Sequence, residues 1–172
     1  MEIFIFIFHD FQKRFSNFYF NNKKLKIYVE NSVIGGYFDK EFEKHAKRLF
    51  EEFKRGTFKA VISSHVMDEL GNGAPQHVIG NLKQINYDEY ELTKEMIDLA
   101  DKYMESCIVT KKYYEDGLHI AIATVIGVDV LVSWNFKHIV NLNKIKLFNH
   151  VNLMERYLPL EIRTPPEVLD YE

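Results

Sequence analysis

Short apolar runs alternate along the chain with longer stretches in which apolar residues have helical spacing. The runs "LKIYV", "FKAVIS", "VDVLVS" and "LEIR" are rich in β-branched and aromatic residues, which predicts four strands. Between them, stretches such as "EFEKHAKRLFEEFKRG" place apolar residues three or four positions apart and predict amphipathic helices. Strands that alternate with helices are typical of a parallel sheet that is covered by helices on both faces.

Individual residues mark the ends of the predicted helices. Gly56 and Gly127 are expected to end two of them, because glycine adopts the left-handed conformation at low cost. Pro75 marks the start of another helix, and Thr93 is a plausible N-cap. The run Leu118–Ile126 is apolar almost all round, so we expect this helix to be largely buried.

The first 24 residues differ from the rest of the chain. They are crowded with Phe and Asn, and "EIFIFIF" has no polar face. A signal peptide is not expected, because a basic start and a cleavage site are lacking. We therefore predict a domain over residues 25–172 and an N-terminal extension over residues 1–24. This extension is either an extra strand or sequence upstream of a true start near Leu25.

Composition limits the class of protein. The 172 residues are 47% hydrophobic, which suits one compact domain. A single cysteine excludes a disulfide framework and a thiolate zinc site, and it favours a reducing compartment, the cytoplasm. The net charge of −3 does not attract polyanions, so any phosphate contact must be local. No apolar run approaches the roughly 20 residues of a membrane helix.

Polar side chains follow the predicted strands. Glu30 ends the first strand, Glu69 lies on the helix after the second, and Asn135 follows the strand "VDVLVSW". Asp116 lies in the first turns of the buried helix that precedes that strand. Ligand sites of parallel α/β sheets lie beyond the carboxyl ends of the strands, so these four side chains are expected to meet at one edge.

Three carboxylates at one edge repel each other unless a cation neutralises them. Oxygen ligands without cysteine suit Mg²⁺ or Mn²⁺, which are held by carboxylates together with substrate phosphate. Such an ion can activate water and stabilise the charge that develops at phosphorus. The pattern therefore favours metal-dependent hydrolysis of phosphodiesters.

Four motifs resemble the PIN-domain family, in particular VapC-type toxins of toxin–antitoxin pairs. They are "YVENSVIGGYFD", "SSHVMDEL", "EDGLHIAIATVIGVDVLVSWNFKHI" and "IRTPPEVL", and the resemblance covers residues 25 to 170. It implies a three-layer α/β/α sandwich of flavodoxin-like type and a Mg²⁺- or Mn²⁺-dependent ribonuclease. It also implies an antitoxin protein that holds the toxin inactive, and often a homodimer.

The resemblance assigns the metal ligands to Glu30, Glu69 and Asp116, and the late acidic position of the family to Asn135. Two residues depart from the family pattern. The first acid is usually Asp and is Glu here, and Asn135 is a neutral amide that can offer an oxygen to metal or water but no charge. We expect Asn135 to help place a water. Ser32 and Ser133 resemble the small hydroxyl residues that accompany the acids.

Simpler structural roles remain for several of these residues. Glu30 could cap the turn that follows its strand, and Asp116 could complement a helix dipole, although its neighbour Glu115 would serve equally well. Glu69 is preferred over Asp68 by the resemblance alone. We expect His119 to be a packed or hydrogen-bonded residue and not a ligand.

Short basic groups stand near the predicted edge and could hold RNA phosphates despite the acidic total. They are Lys111, Lys112 and Lys137. Most such lysines are only solvated surface residues. The favoured function is a metal-dependent RNA endonuclease, and the alternative is a non-catalytic PIN-like module that binds RNA or a protein partner.

Overall fold

The computed structural model describes residues 24–169, so nearly all of the predicted N-terminal extension lies outside the described residues. The strands within this range are β1 (Lys26–Val29), β2 (Lys59–Ser63), β3 (Tyr87–Tyr90), β4 (Val130–Val132) and β5 (Glu161–Arg163). The helices are α1 (Asn31–Gly36), α2 (Glu43–Arg55), α3 (Ser64–Gly71), α4 (Gln76–Leu82), α5 (Lys94–Glu105), α6 (Tyr114–Ile126), α7 (Leu142–Met154) and α8 (Pro165–Leu169). A 3-10 turn over Lys111–Tyr113 precedes α6.

All strand pairs in the described range are parallel, and the five strands lie in the order β3-β2-β1-β4-β5. Ile27 of β1 lies opposite Ala60 of β2 on one side and Val130 of β4 on the other. The chain leaves β1 in one direction and later returns to its other side with β4. This reversal places a topological switch point at the carboxyl ends of β1 and β4, where ligands of such sheets bind.

Helices cover both faces of the sheet, which confirms the predicted α/β/α sandwich. Helix α2 packs against α8, and α5 packs against both α6 and α7. Strand β1 is therefore buried from Ile27 to Val29, and β4 is buried at Leu131 and Val132. Their consecutive apolar residues are the pattern expected of strands that are covered on both sides.

The predicted helix ends are confirmed. Gly56 and Gly127 adopt left-handed φ values of 74° and 69° directly after α2 and α6, where an L side chain would be strained. The side chain of Thr93 accepts the Met96 N–H and caps α5. Helix α6 is buried from Gly117 to Thr124, as its almost continuous apolar sequence predicts. None of the helices in the described range is long and apolar enough to cross a membrane.

Strand β3 was not predicted. Its sequence, Tyr-Asp-Glu-Tyr, has two acids at its centre and no buried residue. Within the described sheet it pairs only with β2, because it lies at the edge. Backbone pairing with β2, and not an apolar run, determines this strand. With β3 included, the predicted strand "VDVLVS" becomes the fourth in chain order, β4.

Candidate metal-binding and catalytic site

Glu30 lies directly after β1 and is only 4% exposed. One carboxylate oxygen accepts the Ser32 N–H at 2.7 Å and the other accepts the Ser32 hydroxyl, so Glu30 caps α1. The hydroxyl oxygen of Ser32 in turn accepts the Trp134 N–H at 2.9 Å. These hydrogen bonds link Glu30 through Ser32 to the segment that follows β4. Glu30 therefore caps α1 and still lies at the edge of the sheet.

Glu69 projects from α3 toward the same edge. Its Oε2 atom accepts a hydrogen bond from Asn31 Nδ2 and lies 3.1 Å from His119 Nε2. Burial by itself would raise the pKa of Glu69, but the hydrogen bond and charge of His119 hold this pKa below its ordinary value. Glu69 is therefore a charged carboxylate with defined partners.

His119 lies at the centre of the site and is 4% exposed. Its Nδ1 atom lies 3.0 Å from the hydroxyl of Tyr28, and its Nε2 atom faces Glu69. Burial by itself would lower the pKa of His119. The hydrogen bond to Glu69 and the charges of Glu30, Glu69 and Asp116 outweigh burial and raise it. All three predicted acids therefore act on one imidazole, although they come from distant parts of the sequence.

Asp116 lies in the first turn of α6 and is half-buried. Burial raises its pKa, and the charges of His138, His119 and Lys144 oppose that rise. Its Oδ1 atom accepts a hydrogen bond of 2.7 Å from the side-chain amide of Asn135. Asp116 thus has a neutral donor as its direct partner and cations only at longer range.

Asn135 is oriented by three hydrogen bonds. Its Oδ1 atom accepts the His138 N–H at 3.0 Å, its Nδ2 donates to Asp116, and its N–H donates to Ser133 Oγ at 2.8 Å. Turning the amide over would place its NH₂ group against the His138 N–H and its oxygen against the carboxylate. The amide oxygen is therefore directed away from the carboxylate of Asp116, and the role of Asn135 in placing a water stays a prediction.

The two hydroxyl residues differ in exposure. Ser133 is completely buried and its Oγ atom accepts the Asn135 N–H, so it supports the site from within. Ser32 is half-buried and joins Glu30 to Trp134.

Two of the three predicted basic residues lie near one aromatic ring. Lys112 Nζ lies 5.3 Å and Lys137 Nζ lies 5.7 Å from the centroid of Tyr113. The same ring stacks on His138 with 3.8 Å between centroids. Lys111, Lys112 and Lys137 are all exposed. An exposed, positively charged rim with an aromatic ring therefore borders the Asp116 side of the site.

Two further residues, His65 and Glu115, were not predicted from the sequence. His65 Nε2 lies 3.1 Å from Glu115 Oε2 and 3.7 Å from Glu69 Oε2. Their spacing in the sequence could have pointed to them, because His65 precedes Glu69 by four residues on α3 and Glu115 precedes His119 by four on α6. Residues four apart lie on one face of a helix.

Ligand atoms are closest together on the histidine side of the site. Within residues 24–169, the one group of three His, Cys, Asp or Glu residues with ligand atoms all within 4.8 Å is His65, Glu69 and His119. Glu30, Glu69 and Asp116 surround His119 without forming such a group. Mg²⁺ keeps several waters and needs only one or two direct carboxylates, so the all-oxygen donors still fit this ion.

Comparisons with known proteins give structural matches alone. No protein-family model matches the sequence, and no curated protein matches it. VapBC2 of Rickettsia felis, solved with a DNA fragment from its promoter, matches with 16% identity and a TM-score of 0.49 over 80% of this chain and 98% of that one. VapC20 of Mycobacterium tuberculosis, a toxin that cleaves the sarcin–ricin loop, matches with 16% identity and a TM-score of 0.43 over 61% and 86%.

Proposed function

We propose that this chain is a Mg²⁺- or Mn²⁺-dependent endoribonuclease of the PIN class, with Glu30, Glu69 and Asp116 as the residues that hold the ion. The observation that carries the proposal is the position of these carboxylates. They follow different strands or begin a different helix, yet all three influence the buried imidazole of His119. Partly buried acids at the carboxyl edge of a parallel sheet are costly unless they have a cationic ligand.

The bound ion would activate a water and stabilise charge at the scissile phosphate. The protein contributes the positions of the ligands. Asn135 holds Asp116 through its amide, and His119 holds Glu69 through Nε2. Both residues therefore position carboxylates, and Ser133 positions Asn135 in turn.

The exposed basic rim supports a polyanionic substrate. Lys112 and Lys137 lie near the ring of Tyr113, which stacks on His138, and Lys111 is exposed in the same 3-10 turn as Lys112. The aromatic ring offers a surface on which a base can stack. This local positive charge compensates for the net charge of −3 of the whole chain. The preference for RNA comes from the sequence resemblance and is part of the proposal.

The same resemblance motivates the biological setting that we propose. The chain would act in the cytoplasm as the toxin of a toxin–antitoxin pair and would be held inactive by an antitoxin protein. Light scattering of the purified chain, alone and with a co-expressed neighbour, would measure its mass and test both the homodimer and the complex.

The decisive experiment measures RNA cleavage by the wild type, with and without EDTA, and by Asp116→Asn. We expect EDTA to abolish cleavage and the variant to lose at least about 100-fold in rate, because it lacks one charge of the ion site. Asp98→Asn, on the exposed surface of α5, is the matched control and should cleave normally. Circular dichroism would verify that both variants fold.

Cleavage that survives both EDTA and Asp116→Asn would refute the proposed nuclease. A folded wild type that binds RNA, does not cleave it and is not stabilised by Mg²⁺ would support the alternative, a non-catalytic module.

A further inference from the structure

Helices α3 and α6 each carry one histidine and one glutamate on a single face, in opposite order. His65 and Glu69 lie on α3, and Glu115 and His119 lie on α6. The order brings each histidine opposite a glutamate. The distances between Nε2 and Oε2 atoms are 3.1 Å for His65 and Glu115, and 3.1 Å for His119 and Glu69.

We infer that these four side chains form a binding site for Zn²⁺, which shares Glu69 with the all-oxygen site proposed above. The chemistry of the donors favours this ion, because imidazole nitrogen suits zinc and is a poor ligand for Mg²⁺. Two histidines with carboxylates and Zn–ligand distances of about 2.0–2.2 Å make a tetrahedral zinc site. The ligand atoms of such a site lie about 3.4 Å apart.

The observed separations are close to those of such a tetrahedron. Three of the four nitrogen–oxygen pairs lie 3.1, 3.1 and 3.7 Å apart, and the ligand atoms of His65, Glu69 and His119 all lie within 4.8 Å of one another. Only small shifts of side chains would be needed to bind the ion. Glu115 is 61% exposed at its side chain and can complete the set from the solvent side.

The Nε2 atom of His65 is available to a ligand. Its Nε2 atom is buried and makes no hydrogen bond, although Glu115 and Glu69 lie nearby. Buried polar atoms without a partner are rare in folded proteins. A metal ion between the two helices would give this nitrogen a partner.

The surroundings of His119 also suit a zinc ligand. A histidine that binds metal through one nitrogen usually donates its other N–H to a neighbouring acceptor, which fixes the ring. The hydroxyl of Tyr28 lies 3.0 Å from Nδ1 and can accept that proton, because it can donate to Ser63 Oγ at 2.9 Å. The ring is therefore held with Nε2 directed at the proposed ion.

Glu69 belongs to both sites, which gives the zinc site a regulatory consequence that depends on the proposed function. An ion that draws Glu69 toward the histidines removes it from the all-oxygen site. Zinc and Mg²⁺ would therefore compete, and zinc would inhibit the nuclease.

The test is a calorimetric titration of the full chain with ZnCl₂ in the absence of RNA. We expect one Zn²⁺ per chain and an affinity that falls at least about tenfold in His65→Ala. His150→Ala removes an exposed histidine of α7 and should leave the affinity unchanged. Excess Mg²⁺ should weaken zinc binding to the wild type. Tetrahedral Co²⁺, as a spectroscopic substitute, should show intense visible bands that are absent in His65→Ala.

Equal zinc affinity for the wild type and His65→Ala, or no binding at all, would overturn the inference. If His65→Ala does not fold, Glu115→Gln provides the same test at an exposed position. Binding that is unaffected by either change places the zinc elsewhere. None of these outcomes involves RNA, so a failure here is distinct from a failure of the cleavage experiment.

Discussion

The pKa values of two carboxylates in the site are shifted in opposite directions, Glu69 on the side of His119 and Asp116 on the side of Asn135. Glu69 and Asp116 are both about half-buried, and both lie near His119. Yet the pKa of Glu69 is held below its ordinary value and that of Asp116 is raised above it. The difference lies in the partners, because Glu69 contacts an imidazole that can carry charge and Asp116 contacts a neutral amide.

The two carboxylates should therefore differ in what they contribute, one to the stability of the folded chain and the other to binding of the ion. Glu69 is compensated by His119 even without an ion, so it contributes to the stability of the folded chain. Burial disfavours the charged form of Asp116, and its direct partner is a neutral amide. A bound cation would therefore stabilise Asp116 more than it stabilises Glu69. Substitutions on the two sides should therefore have different effects on stability, although both should stop cleavage.

The largest effect on stability is expected for Glu69→Gln without metal. The variant loses the charge that His119 and Asn31 contact, which should lower the free energy of unfolding by about 1–3 kcal/mol. Urea denaturation in EDTA would measure it. Glu51→Gln, an exposed substitution on α2, should change the free energy by less than about 0.5 kcal/mol. If Asp116→Asn costs as much as Glu69→Gln, the two sides do not differ as described.

A smaller effect on stability is expected when Asn135, the amide beside Asp116, is replaced by a second carboxylate. Asn135→Asp replaces the donor to Asp116 with a carboxylate, so the metal-free protein should lose about 1 kcal/mol of stability. Mg²⁺ should bind more tightly to this variant, because a cation then relieves the repulsion. Melting temperatures with and without Mg²⁺ would show both changes.

The exposed Asn86→Asp is the matched control for this substitution and should alter neither stability nor Mg²⁺ binding. Unchanged Mg²⁺ affinity in Asn135→Asp would place the ion away from Asp116.

The pH dependence of stability should have opposite signs on the two sides. The pKa of Glu69 is lowered from 4.5, so its stabilisation is present above pH 4.5 and is lost as pH falls through the lower folded-state value. The pKa of Asp116 is raised from 3.8, so its destabilisation develops as pH rises above 3.8.

Urea denaturation on the acidic side of neutrality would measure this contrast. On acidification, the advantage of the wild type over Glu69→Gln should shrink, and any advantage of Asp116→Asn over the wild type should also shrink. Parallel curves for the wild type and both variants would contradict the assigned directions.

The smallest effect is expected at the basic rim. In the Asp116→Asn background, which we expect to bind RNA without cutting it, Lys137→Ala should weaken RNA binding about threefold and reduce the slope of log affinity against log salt by about 1. Lys94→Ala, an exposed lysine of α5, is the matched control. Equal effects of the two substitutions would show that the rim does not guide the substrate.

Most of the fold was predictable from local pattern. Consecutive apolar residues in β1 and β4 predicted strands that are covered on both faces, and Gly56, Thr93 and Gly127 predicted helix ends. Strand β3 was missed for a physical reason. An edge strand bonds to one neighbour and can keep polar side chains, so its backbone partner determines it and its composition does not.

The site was predictable in part. The rule that ligand sites lie beyond the carboxyl ends of parallel strands pointed to Glu30 and Asp116, and the resemblance chose Glu69 over Asp68. The orientation of Asn135 was not predictable, because it depends on the N–H of His138 and the carboxylate of Asp116 together. His65 and Glu115 lie on helices that are distant in sequence, and only the packing of α3 beside α6 gives their spacing a meaning.

Apart from β3, the sequence alone determined the order of the elements and the edge of the sheet at which the acids gather, because hydrophobic burial and strand direction are set by local pattern. Only the tertiary structure decided which partner each acid received. A hydrogen bond or a charge acts over a few ångströms, so the imidazole beside Glu69 and the amide beside Asp116 depend on how distant segments pack together.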